Sequence, residues 1–315
     1  MPHEIDRPRT LHSFMGLFHS NDFRSRSLFR DLDSMFGDAT FFIVWDQHTA
    51  QAAEDAPRYE RLQVQPITKD QLFDFITQFY SVDRNALVED CRAFPLLLRI
   101  LLAMYLRKVA GIDYCIMADN DIFIFEPIPE IVRLSEVRRP FLIQETGAAD
   151  TLPQITEYIS RHLGKEIRYV PPSKGKGYNA GFCGLDISVF DRFDSDTVRL
   201  LLDTLRPMGE WWREQAFFVH MNFASQKSVH TFDDERYMFL PHDDRTYRQK
   251  SKIYHCIFTT DKRRVDLYYL LRYGRTIGDR LRVGGIWGVL LVQGLRKKLQ
   301  VRTRIYRWLR LDLFL

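Results

Sequence analysis

An apolar run, Tyr114-Cys115-Ile116-Met117-Ala118, ends in two carboxylates one residue apart, Asp119 and Asp121, and a second run, Ile122-Phe123-Ile124-Phe125, follows at once. Such a run reads as a strand buried on both faces, the kind that an α/β sheet is built from. Open α/β sheets bind ligands outside the carboxyl ends of their strands, which is where the two acids fall. In an extended chain, residues two apart share a side, so Asp119 and Asp121 are expected to converge on one ligand. Paired carboxylates repel unless a proton or a cation lies between them. Hard oxygen donors suit Mn2+ or Mg2+, which proteins hold through one or two carboxylates together with substrate phosphates. A plain polar turn after a core strand accounts for the same residues without any ligand.

The flanking segments favour an α/β fold. Thr10 to Phe18 reads as a strand, Phe23 to Met35 as a helix and Ala39 to Trp45 as a second strand. Strand, helix, strand in such a short span is a βαβ unit and implies a parallel sheet. Arg61 to Pro66 is a short third strand. Helices are expected over Lys69 to Tyr80 and Asn85 to Val109, the second interrupted at Pro95, which lacks the N–H a helix interior needs. A helix with prolines near its start follows Glu126. Next come a strand over Phe141 to Gln144, a helix over Thr151 to Leu163 and a loop over Pro171 to Gly177. The apolar pattern resumes over Asn179 to Asp186, before a helix from Ser188 to Leu205.

Charge divides the chain more sharply than hydrophobicity does. Between Lys262 and Leu315 there are 14 Lys or Arg against 3 Asp or Glu, a net +11, so the rest of this +4 chain carries −7. The expected division is therefore a body over residues 10–261 and a basic region over 262–315. A basic end on an acidic body points to a polyanionic partner, a membrane surface or a nucleic acid. The four cysteines form no C-x-x-C pair and no zinc spacing. Cys91, Cys115 and Cys183 lie in apolar surroundings and read as reduced core residues, pointing to a cytoplasmic protein. The first residues show no apolar stretch of signal-peptide type, and no window of about 18 apolar residues exists, so no transmembrane helix is expected.

Several features in order form a recognisable set: the βαβ opening, Arg99 within Leu96-Leu-Leu-Arg-Ile-Leu-Leu, Asp119-Asn120-Asp121, Gly177-Tyr-Asn-Ala-Gly181, Glu214-Gln215 and a late His255. Together they resemble the GT-A glycosyltransferases, most closely the retaining family-8 type of bacterial lipopolysaccharide galactosyl- and glucosyltransferases. A weaker resemblance is to the sugar transferases with a D-x-D motif related to yeast mannosyltransferases and clostridial glucosylating toxins. The resemblance spans roughly Thr10 to Lys262. It implies a GT-A fold with a mixed, mainly parallel sheet, and transfer of a hexose from UDP-glucose or UDP-galactose to a glycan or lipid-linked acceptor, with retention. In that scheme Asp119, Asp121 and His255 hold Mn2+ (or Mg2+) against the diphosphate. Asn21, Asp22, Arg99, Asn120, Asn179, Gly181 and Lys262 bind the donor, and Gln215 or Glu214 faces the anomeric carbon.

Each position also has a simpler explanation. Asn21 and Asp22 serve equally as helix N-caps, Asn179 and Gly181 as a glycine-bearing strand start, Glu214 as a solvated helix acid and His255 as a structural histidine. Arg99 stands in a nearly apolar helix, where a guanidinium needs a partner. After His255 the family's Gly and Lys-Pro-Trp are absent, leaving Lys262 as the cation able to reach a diphosphate. Glu214 stands where the family has Asp. The competing reading from another class is a metal-dependent phosphohydrolase or phosphotransferase. Its D-x-D is ordinarily followed by Gly-Thr or Gly-Val early in a chain, not by Ile122-Phe123 at its middle.

The segment from Leu295 to Leu315 can be wound as a helix with Leu295, Leu299, Tyr306, Leu309 and Leu313 on one face and arginines flanking it. That is the composition of an interfacial helix, and each basic residue gains about 1 kcal/mol near an anionic lipid surface. Peripheral attachment to the inner face of the membrane is the expectation; docking on the protein's own acidic body is the alternative. No nucleic-acid-binding module accompanies the basic stretch.

Overall fold

The computed structural model describes residues 11–18, 23–45, 59–124, 126–146, 157–158, 160–161, 169–205, 210–225, 227–232, 252–255, 281 and 284–288. The chain divides into two compact units, Met1–His255 and Cys256–Leu315. In the second, residues 281 and 284–288 are helical. Its basic segment beyond Leu295 lies outside the described residues, as do Lys262, Asn21, Asp22, and Gln47 to Pro57. No described helix is long and apolar enough to cross a membrane.

The first unit is built on a seven-stranded sheet flanked by helices on both faces. Strand β1 (His12–Phe18) leads through helix α1 (Phe23–Met35) to β2 (Ala39–Trp45) and then β3 (Leu62–Pro66). Helices α2 (Lys69–Tyr80), α3 (Arg84–Ala93) and α4 (Leu97–Lys108) follow, returning the chain to β4 (Tyr114–Ala118) and β5 (Ile122–Ile124). After α5 (Pro129–Glu136), β6 (Phe141–Thr146) and β7 (Lys176–Asp186), a 3-10 turn (Ile187–Arg192) precedes α6 (Ser195–Leu205) and α7 (Glu210–Ala224). Strands β8 (His230–Phe232) and β9 (Ile253–His255) complete the unit. The sheet order is β3-β2-β1-β4-β7-β6-β8, and β5 pairs with β9 in a separate ribbon.

Strands β1, β2, β3 and β4 run parallel, as the βαβ opening requires. β7 runs antiparallel to both neighbours, and β6 with β8 is parallel again. The sheet is therefore mixed and mainly parallel. Alternate residues of the central strands feed two separate cores. Phe14, Phe41, Ile43 and Ile116 pack against α1 and α5; Met15, Phe42, Val44 and Met117 pack against α2, α3, α4 and α7. Between Leu97 and Leu106 every residue of α4 is buried, Arg99 included.

Three local expectations are corrected. The helix expected over Ser188–Leu205 is split, because Asp194 restarts it: its Oδ1 accepts from the Thr197 N–H at 2.8 Å and from the Thr197 hydroxyl at 2.6 Å. A loop expected through Gly177 ends sooner, since β6 runs on to Thr146 and pairs with Lys176, leaving Gly175 to make the turn at φ +79°. Asp119 and Asp121 do not lie on an extended chain. The Ile122 N–H bonds back to the Asp119 carbonyl at 3.2 Å, closing a tight turn over Asp119–Ile122, so strand alternation does not apply to the pair. The break at Pro95, by contrast, separates α3 from α4 where expected. Of the helix expected over Thr151–Leu163, residues 157, 158, 160 and 161 are helical and the others lie outside the described residues.

Candidate active site

The sheet order reverses between β1 and β4: earlier strands were added on one side of β1, later ones on the other. At such a switch point the connections leave on opposite faces, and a crevice opens beyond the carboxyl ends of the two strands. Asp119 directly follows β4 at that edge. Its backbone N–H donates to the Gly181 carbonyl at 2.8 Å, continuing the β4–β7 ladder by one rung. Asn179 is buried, and its Oδ1 accepts the Gly181 N–H. The turn and the Asn179–Gly181 segment are thus locked together through the backbone.

Arg99 is the centre of the arrangement. It stands in the first turn of α4, only 7% exposed, and its Nη2 pairs with the Asp119 carboxylate. Its Nη1 donates to Glu214 Oε1 at 3.0 Å. Glu214 projects from the first half of α7 and is 3% exposed, which excludes a solvated helix acid. Burial opposes the Arg99 charge, yet Asp119, Glu214 and Asp121 together outweigh it and hold the guanidinium pKa above its usual range. Burial pushes the Glu214 carboxyl upward, with Arg99 pulling the other way. Arg99 Nε is itself buried and has no hydrogen-bond acceptor among the described residues.

Two residues that sequence reasoning did not single out hold this geometry. Asn222, fully buried on α7, donates from Nδ2 to the Gly184 carbonyl at 2.9 Å and accepts the Asp186 N–H at 3.3 Å. It clips α7 to β7 two helical turns beyond Glu214, on the same side of the helix. Gly16 on β1 is the second: a Cβ there would lie 2.8 Å from the Ala118 carbonyl oxygen and 2.8 Å from the Phe18 ring. The backbone of β4 just before Asp119 therefore needs glycine beside it. An asparagine in the last turn of an apolar helix segment was visible as a buried polar group in search of a partner; nothing in the sequence distinguished Gly16.

Of the residues expected to act together, Asp119, Asp121, Arg99 and Glu214 are in electrostatic contact, and Asn179 and Gly181 adjoin them. Asn120 occupies the turn and Gln215 is half-buried beside Glu214. His255 enters through the backbone: in the β5–β9 ribbon it stands directly opposite Ile122, next to the acidic turn. Its side chain, like the whole of Asn21, Asp22 and Lys262, lies outside the described residues.

The donor chemistry fits a divalent cation. Two carboxylates meet at one turn, a histidine is brought alongside by strand pairing, and Arg99 carries one positive charge among three acids. Among the described residues there is no group of three or more His, Cys, Asp or Glu side chains placed to hold a metal ion. Among the described residues no cysteine offers a thiolate here: burial drives the Cys183 thiol, opposite Met117, far above its usual range, so it stays protonated.

No family model matches the chain, and no curated protein matches it. Among solved structures, mouse xyloside xylosyltransferase 1 in its apo form is similar at a TM-score of 0.46 and 15% identity, over 78% of this chain and 97% of that one. The apo structure of the WbbM bifunctional glycosyltransferase is similar at a TM-score of 0.44 and 11% identity, over 79% of this chain and 46% of that one.

Proposed function

We propose that this chain is a glycosyltransferase of the GT-A type, moving a hexose from a nucleoside-diphosphate sugar to a glycan or lipid-linked acceptor with the help of Mn2+ or Mg2+. One observation carries the reading: a buried guanidinium ties Asp119, the first acid of the D-x-D turn, to Glu214 at the switch point of an α/β sheet. Arg99 and Glu214 are buried together, which costs several kcal/mol per ion unless they are well paired. A fold that buries them at its ligand-binding edge uses them for more than stability.

A divalent cation held by Asp119, Asp121 and His255 would offset the charge that develops on the departing diphosphate. Arg99 fixes the Asp119 carboxylate. With Glu214 committed to Arg99, the role at the reacting sugar is assigned to Gln215. UDP-glucose or UDP-galactose as donor, retention of configuration, Lys262 at the diphosphate, Asn21 and Asp22 at the nucleoside, and a role in bacterial surface polysaccharide synthesis complete the proposal. They rest on the resemblance of the motifs. A phosphohydrolase is less well matched, since its D-x-D is ordinarily followed by Gly-Thr or Gly-Val where this chain has Ile122-Phe123.

Turnover of a panel of UDP- and GDP-sugars, with and without Mn2+, tests the reading. The expected result is metal-dependent consumption of one donor, lost in Asp121→Ala. Silence across the panel, with no metal-dependent binding of free UDP, would overturn it.

A further inference from the structure

The ion pair between Arg99 and Glu214 has an electrostatic effect on the acids of the turn. Alone, the Arg99 guanidinium would offer its whole charge to Asp119 and Asp121 and so compete with any cation binding there. Glu214 draws on that charge from the opposite side, at 3.0 Å and out of water. Counted together, Arg99, Asp119, Asp121 and Glu214 sum to −2 when ionised. Without Glu214 the same set sums to −1.

We propose that Glu214 is a positioning residue that acts through Arg99, setting the cation affinity of the Asp119–Asp121 turn. It touches neither the cation nor the sugar. The inference rests on the metal-dependent reading of the site and adds to it a role for an acid that would otherwise be assigned to the anomeric carbon. Its effect is strong because the pair is sheltered: charges in a poorly solvated site interact several-fold more strongly than the same charges in water.

The test is direct Mn2+ binding to the full chain, measured by loss of the free-ion electron paramagnetic resonance signal, with no donor or acceptor present. Glu214→Gln, nearly isosteric, is expected to weaken Mn2+ binding about tenfold or more, while circular dichroism reports an intact fold. Arg99→Gln/Glu214→Gln restores the net −2 and is expected to bind within about twofold of the wild type. Unchanged affinity in the single variant, or a double variant as weak as the single, overturns the proposal. Should Glu214→Gln not fold, the double variant, which leaves no buried charge unpaired at either position, decides the matter: weak binding there is fatal. Failure of the metal-dependent reading itself is seen separately, as a wild type that binds no Mn2+.

Discussion

Arg99 shows how one residue can join stability to chemistry. Removing its charge alone leaves Glu214 buried without its partner, and breaking a buried pair in this way costs about 3–5 kcal/mol. Arg99→Met is therefore expected to lower the denaturant midpoint steeply, and Arg99→Met/Glu214→Leu to recover part of that loss, as a double-mutant cycle in urea would measure. A second residue-scale prediction concerns Tyr114, whose hydroxyl is buried with no hydrogen-bond partner among the described residues. That oxygen would sit 2.2 Å from a Cβ added at Gly184. Tyr114→Phe should be neutral or stabilising by up to about 1 kcal/mol. Gly184→Ala should cost about 1–3 kcal/mol, and part of that should return when the two are combined, readable as shifts in Tm.

At the scale of elements, α7 works as a lever pinned at Asn222 and loaded at Glu214. Asn222→Leu removes both bonds to β7 and leaves the Gly184 carbonyl and the Asp186 N–H unpaired, at about 1–3 kcal/mol for each buried group. If α7 positions Arg99, donor turnover should fall further than lost stability accounts for, even at temperatures where the variant is folded. A pH test falls on the other face, where His12 on β1 meets Ser135 on α5 at 2.9 Å. Burial holds the imidazole below its usual pKa, with Glu136 pulling it back up. Its contribution is present above the unfolded value near 6.5 and is lost as pH falls through the folded one. Between pH 7 and 5 the urea midpoint of the wild type should fall more than that of His12→Gln.

Much of this level was legible in the chain. The exact spans of α1, β2 and α2 follow from amphipathic period and apolar runs, and Pro95 marked the gap between α3 and α4. The need of Arg99 for a partner was equally plain from its apolar neighbours. The identity of that partner was not, because Glu214 lies 115 residues away and local pattern carries no information about such a pairing. The direction of β7 was hidden for the same reason: an apolar run buried on both faces reads alike in parallel and antiparallel settings.

Across the whole molecule, an acidic body and a basic end divide the charge, and the two units fall on nearly the same boundary as that division. Full-length protein is expected to sediment with phosphatidylserine vesicles in low salt and to be released at high salt, since screening shortens the reach of surface charge. A chain ending at Lys262 should stay in the supernatant; if it pellets equally, the basic end is not the anchor. The long separation between Arg99 and Glu214 has one more consequence, which concerns the order in which the protein is made. At about 5–20 residues per second, a ribosome that has just released Arg99 needs roughly 6–23 s more before Glu214 emerges. Until then the emerging chain holds a guanidinium in an apolar helix with the Glu214 part of its counter-charge still unwritten. Premature termination before α7 therefore yields a chain that has every strand of its parallel half and the helices α2 to α4, but lacks the last helix of that face and the partner that Arg99 needs.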